Sequence, residues 1–167
     1  MRIVNDTVER LFLIIGSAMF ALFIVVIFLQ VVARSYLRLS ILWTDEVALI
    51  CFIWSVFLGA AVAFRRRAHY TVEILPGSMV RTNQALTLFA HVATLAVIYV
   101  MIVGGWTYAG MGMRRMTVAL EIPQATMFAA IPVSGVAMAL FAVELIREDL
   151  RRLVAGGAPK TVGPIQE

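Results

Sequence analysis

Charge is scarce in this chain. Only 14% of its 167 residues are Asp, Glu, Lys or Arg, 62% are hydrophobic, and the mean hydropathy is +0.92. Soluble domains carry roughly a quarter charged residues. The polar surface needed to dissolve an ordinary globule is missing, and the chain reads as a membrane protein. Cysteine is nearly absent: Cys51 stands alone inside an apolar run. That excludes an intrachain disulfide framework, a multi-thiolate metal site and a quinone-linked disulfide oxidase, and leaves a small buried hydrophobe. The net charge of +4 comes mostly from 13 arginines. They lie at the ends of apolar runs, as membrane flanks do, so no nucleic-acid partner is expected.

Four runs contain no Asp, Glu, Lys or Arg: Leu11 to Ala33, Val47 to Phe64, Thr82 to Met113 and Ile122 to Val143. At about 1.5 Å per residue each approaches or exceeds a hydrocarbon core of roughly 30 Å. The expected fold is therefore an all-α integral membrane protein with four transmembrane helices. The first run is too long for the core of a signal peptide and no small-residue cleavage pattern follows it, so it reads as a retained helix. The third run is too long for a perpendicular span. It must tilt, project or stop early, and Gly104, Gly105, Gly110 and Gly112 offer places for a break or a fraying end.

The organisation that follows is one membrane domain over residues 1–155, with spans at about 11–33, 47–64, 84–110 and 122–146, and a disordered tail at 156–167. Beyond Val143, Leu145, Ile146, Leu150, Leu153 and Val154 recur at helical spacing opposite Arg147, Glu148, Asp149, Arg151 and Arg152. The last helix should run on as an amphipathic extension at the cytoplasmic surface. Ten of the 14 Lys and Arg fall at the termini and in the second connection, and four (Arg34, Arg38, Arg114, Arg115) on the other side. Positive-inside bias then puts both termini in the cytoplasm, with Trp43 and Trp106 in the outer aromatic belt.

No acidic or basic residue lies near the middle of any run; Asp45, Glu46, Glu121 and Glu144 all sit at ends. A proton-coupled exporter needs a carboxylate deep in a helix. His91, the one histidine within a run, lacks the partner a bis-histidine haem site requires and reads as a packing residue. Ser55 and Ser134 lack a Gly-x-Ser-x-Gly setting or an evident base. The residues describe no enzyme, and no cofactor. They do describe packing: Ser55, Gly59 and Ala63 make a small-residue stripe on the second helix, and Gly135 and Ala139 repeat the spacing on the fourth. A stand-alone four-helix transporter or channel is the alternative, but Gln30, Ser55, His91 and Thr94 are too scattered for the polar stripe it needs.

Three segments carry a resemblance. Leu42-Trp43-Thr44-Asp45-Glu46-Val47-Ala48 leads into Phe52-Ile53-Trp54-Ser55-Val56-Phe57-Leu58-Gly59-Ala60-Ala61-Val62-Ala63, and Arg65-Arg66-Arg67-Ala68-His69 follows. This pattern resembles the small membrane subunit, Q-type or DctQ-like, of tripartite ATP-independent periplasmic (TRAP) transporters. The Ile122-Pro123 and Ile131-Pro132 steps are also similar to that family's fourth-helix region. The likeness runs from about Asp6 to Leu153. It departs at Asp45, where many relatives have Glu, and at Arg67, where a small residue is common.

The resemblance implies a scaffold subunit in the bacterial inner (cytoplasmic) membrane. Its expected partners are a large membrane subunit that carries the substrate and sodium sites, a periplasmic substrate-binding protein that delivers an organic anion such as a carboxylate or sulfonate, and membrane lipids. Trp43, Thr44, Asp45 and Glu46, with the stripe of Ser55, Gly59 and Ala63, become the candidate interface to a partner subunit. The two carboxylates also suit the positive end of a helix, with Arg34 and Arg38 as possible ion partners. Arg65, Arg66, Arg67 and His69 become candidate contacts to lipid headgroups or to the cytoplasmic seam. Trp54 lies too deep for the belt, so its indole N–H needs an internal acceptor.

Overall fold

The computed structural model describes residues 2–39, 41–66 and 80–154, with side chains described for 5–39, 41–66 and 92–147. Five helices follow in order: α1 (Arg2–Tyr36), α2 (Leu42–Arg65), α3 (Val80–Gly112), the single turn α4 (Ala125–Phe128) and α5 (Ala130–Val154). Four stretches are long and apolar enough to cross a membrane: Asn5–Tyr36, Leu42–Arg65, Val92–Gly112 and Ala125–Arg147. The all-α, four-span expectation holds, and an isolated bridge between Met116 and Pro123 is the only β-type pairing among the described residues.

The helices pack in the order α1, α2, α5, α3. α1 lies on α2, α2 on α5 and α5 on α3, while α1 touches α5 lightly and makes no contact with α3 among the described residues. Burial follows that order. In the most apolar window of each span, 33% of α2 and 39% of α5 is buried, against 6% of α1 and 11% of α3. α2 and α5 are the inner pair and the other two form the flanks. The buried cluster sits where the inner pair meets α3, with Ala61 and Phe64 from α2, Ile98 from α3, and Ala137, Phe141 and Ala142 from α5. Cys51 is buried in α2, as its apolar setting requires.

Both inner helices depart from the limits of their charge-free runs. α2 starts at Leu42, after an extended Ile41, so that Trp43 through Glu46 form its first turn. The Thr44 hydroxyl folds back to donate to the Ile41 carbonyl at 2.6 Å. At the same end of the bundle, residues 113–124 are not a continuous helix even though 122–143 carry no charge. Thr117 N–H donates to the Ile122 carbonyl and Gln124 N–H to that of Arg115, each at 2.8 Å, closing a compact loop with Glu121 at φ 53°. α4 then makes one turn before the helix resets at Ala129. Pro132 explains the reset: it has no N–H for the Phe128 carbonyl, and its ring crowds that carbonyl.

The glycines of α3 do not break the helix, which runs unbroken to Gly112. Two of them are notches. A Cβ on Gly105 would lie 2.8 Å from Pro132 Cδ and 2.9 Å from its backbone nitrogen, and one on Gly112 would lie 2.7 Å from the Ala125 nitrogen. Without side chains there, α3 comes to the start of α5 and to α4 backbone against backbone. Gly135 repeats this from α5, its missing Cβ 3.1 Å from Ile102. Its stripe is thus internal to the bundle.

Candidate functional site

Charged side chains gather at the two ends of the bundle, and each end is tied together through α2. At the end formed by the start of α1, the end of α2 and the later part of α5, Arg65 is the hub. Its guanidinium pairs with Asp6 and Glu9 of α1, donates to the Asn5 carbonyl at 3.0 Å and lies 3.7 Å from Glu144 of α5. Asn5 donates in turn to Glu144, and Arg66 donates from Nε to Glu9 at 2.7 Å. The Arg65 carbon Cζ stands 5.3 Å from the centroid of the fully buried Phe141 ring, within cation–π range. Arg65 is only 13% exposed, so it serves an internal seam between three helices, whereas the 57% exposed Arg66 keeps a face outward. Arg67 and His69 lie outside the described residues.

At the opposite end, Asp45 and Glu46 part company. Asp45 is exposed and accepts from the Gln30 carboxamide of α1. Glu46 points the other way, toward the loop after α3, and accepts three successive backbone N–H groups: Val118 at 2.7 Å, Ala119 at 2.9 Å and Leu120 at 2.8 Å. Three consecutive amides converging on one carboxylate form an anion nest, filled here from within the chain. Neither Arg34 nor Arg38 is within ion-pair distance of these carboxylates. Trp43 is 44% exposed and faces outward, whereas Thr44 is fully buried with its hydroxyl spent on Ile41. Trp54 finds its acceptor in the Thr126 carbonyl at 2.9 Å, which pins α4 to the middle of α2.

The stripe on α2 divides as well. Gly59 is exposed and has nothing within 4 Å of where a Cβ would stand, with Ser55 and Ala63 half-buried beside it. Ser55, Val56, Gly59 and Val62 form one wall of an open groove of about 420 Å³, and Phe12, Leu13, Gly16, Ser17 and Phe20 of α1 form the other. Among the described residues no group of three or more His, Cys, Asp and Glu could hold a metal ion. The described charged groups thus form two joints between helices, one at each end of the bundle.

Sequence reasoning singled out Arg65 and Glu46 but not what they bind. Asn5, Asp6 and Glu9 stand 56 or more positions from Arg65, and the amides of 118–120 are 72 or more from Glu46. A backbone N–H leaves no mark in sequence. The acidic pair before a charge-free run, mirrored by basic residues after the next, was the one available signal for the first joint.

The pattern described as "Tripartite ATP-independent periplasmic transporters, DctQ component" matches residues 23–152. Among curated proteins, the chain is 27% identical over 137 residues to one from Haemophilus influenzae provisionally named TRAP transporter small permease protein, covering 81% of this chain and 85% of that protein. It is also 27% identical over 156 residues to "Sialic acid TRAP transporter small permease protein SiaQ" of Vibrio cholerae, covering 93% of this chain and 87% of the relative.

Proposed function

The chain belongs to the DctQ component family of tripartite ATP-independent periplasmic transporters, as a multi-pass small permease subunit, and from that premise we propose that it is the static scaffold of a sodium-coupled, binding-protein-dependent importer of an organic anion. The large membrane subunit holds the substrate and sodium, a soluble binding protein delivers the anion to the outer face, and this chain itself holds neither. It resides in the bacterial inner membrane with both termini in the cytoplasm. One observation carries this reading. The described charged side chains that bridge helices do so at the two ends of the bundle, through Arg65 at one and Glu46 at the other, which suits a frame that holds its shape while a neighbour moves.

The open groove between α1 and α2, with Gly59 exposed in its wall, supports that face as the seat of a membrane helix of the large subunit. Small residues there let backbones approach. Asp45 borders the same α1/α2 side at the outer end through Gln30, and Arg66 faces outward toward lipid headgroups at the inner end.

Proteoliposomes test the reading. Vesicles holding this chain alone should show no sodium-driven uptake of a C4-dicarboxylate, sialic acid or sulfonate panel. Vesicles that also hold the large subunit, supplied with loaded binding protein, should take up one of them. Sodium-driven uptake by the isolated chain would overturn the scaffold assignment.

A further inference from the structure

The first span ends at Tyr36 and the second begins at Leu42, so only five residues separate them. With both ends fixed where a span leaves the hydrocarbon, so short a link stays close to the headgroup layer, which is about 5 to 7 Å deep on each side. The turn starts in the helix end itself. The N–H groups of Leu37 and Leu39 both donate to the Ala33 carbonyl, at 3.1 and 3.2 Å, and Arg38 between them takes φ 53°. Glycine is the usual residue in that left-handed position, and an arginine is strained there. The side chains of this tip face outward: Tyr36 is 83% exposed, Leu42 67%, Leu37 62% and Leu39 57%, with the exposed Trp43 beside them. Arg34, in the last turn of α1, and Arg38 are exposed as well. Among the described residues neither makes an ion pair or a side-chain hydrogen bond. Asp45, the first carboxylate after the tip, is engaged by Gln30 instead.

We propose that the α1–α2 tip is a binding site for an anionic phospholipid, with Arg34 and Arg38 holding its phosphate, Tyr36 and Trp43 at headgroup level and the three leucines against the upper acyl chains. The place of the tip commits it to lipid. Its uncovered apolar side chains would be costly in water, but they stand where two spans end, the layer that Trp and Tyr favour. A guanidinium matches a phosphate with two parallel hydrogen bonds. Two guanidinium groups with no carboxylate between them favour a headgroup of net negative charge over a zwitterionic one, whose own amine already balances its phosphate. The strain at Arg38 fits the same assignment: glycine would make the turn more easily, but it brings no cation. The site requires only that α1 and α2 cross a bilayer, and stands apart from substrate, sodium and binding protein. The topology proposed above would make its leaflet the outer one.

The test uses the complex of large and small subunits in nanodiscs of phosphatidylcholine that contain a photoreactive phosphatidylglycerol. Illumination should label the peptide that spans residues 34–43, and excess phosphatidylglycerol, but neither extra phosphatidylcholine nor inorganic phosphate, should compete the label away. Arg34→Gln and Arg38→Gln should each lower labelling about fivefold, the share of one basic residue at a lipid surface, with Tm little changed because neither side chain has a partner within the chain. Arg38→Lys should keep part of the labelling. Arg38→Gly separates binding from folding: it should raise Tm, since glycine suits a positive φ, and still lose label. Labelling that survives the two substitutions combined, or that phosphatidylcholine competes away as well as phosphatidylglycerol does, would overturn the proposal. So would labelling abolished by inorganic phosphate, since the ligand would then be a free anion. Labelling present in the isolated chain but lost in the complex would overturn it too, since the large subunit would then cover the tip.

Discussion

Replacing Arg65 removes the one cation shared by Asp6, Glu9 and Glu144. Breaking a largely desolvated pair from one side costs roughly 3 to 5 kcal/mol, and because Asp6 is 60% exposed the lower end applies. Arg65→Gln should therefore lower the stability of the detergent-solubilised subunit by about 3 kcal/mol, seen as a clear fall in Tm. Arg66→Gln, with one partner and an open face, should cost under about 1 kcal/mol. Equal Tm losses would deny Arg65 its place as hub. Thr44→Val makes a second comparison: the loss of one hydroxyl hydrogen bond inside the fold should cost about 1 kcal/mol and leave co-purification with the large subunit unchanged, since Thr44 is fully buried. Which residue types would matter was legible here. Trp43-Thr44-Asp45-Glu46 reads as one unit in the sequence, yet its four side chains face four tasks, because at 100° per residue a helix start turns neighbours to different surroundings.

At the scale of elements, the four apolar runs were readable because hydrocarbon thickness sets a length that composition can match. The start of the last span was not. Residues 116–124 have little of the Gly, Asn and Asp that mark turns, and besides the Met116–Pro123 pairing their backbone is held by Glu46, 72 or more positions away, a partner that no local window contains. The glycines of α3 were legible as special but not as notches, since a notch is a property of two helices together. That difference is measurable. Gly105→Leu drives a side chain into Pro132 and should cost at least about 1 to 3 kcal/mol, with α3 and α5 forced apart. Gly110→Ala meets nothing within 4 Å and should raise helix stability by about 0.5 to 1 kcal/mol. Thermal unfolding of the two variants, compared with the parent, should therefore shift in opposite directions. A fall in both would mean that Gly110 has a close neighbour of its own.

For the molecule as a whole, the topology proposed above would put the Arg65 joint in the cytoplasm and the Glu46 joint outside. Reporter fusions after Val154 and after Arg38 should report cytoplasmic and periplasmic positions respectively, and periplasmic activity from the first would invert that topology. The order of the helices, with α1 and α3 as flanks, was not legible, because hydrophobicity along a span says that it is in lipid but not which neighbour it chooses. The Arg65 joint also bears on how the chain is made. Asp6 and Glu9 leave the ribosome long before Arg65 and Arg66, so when the second helix is complete its two cations find two carboxylates already waiting. At that joint the two cations are balanced by two carboxylates before the rest of the chain is translated. Glu144 emerges some 80 residues later, and finds both Asn5 and a guanidinium held in place. Assembly of the subunit thus closes with a carboxylate arriving at a prepared socket, which allows the last span to be docked rather than merely inserted.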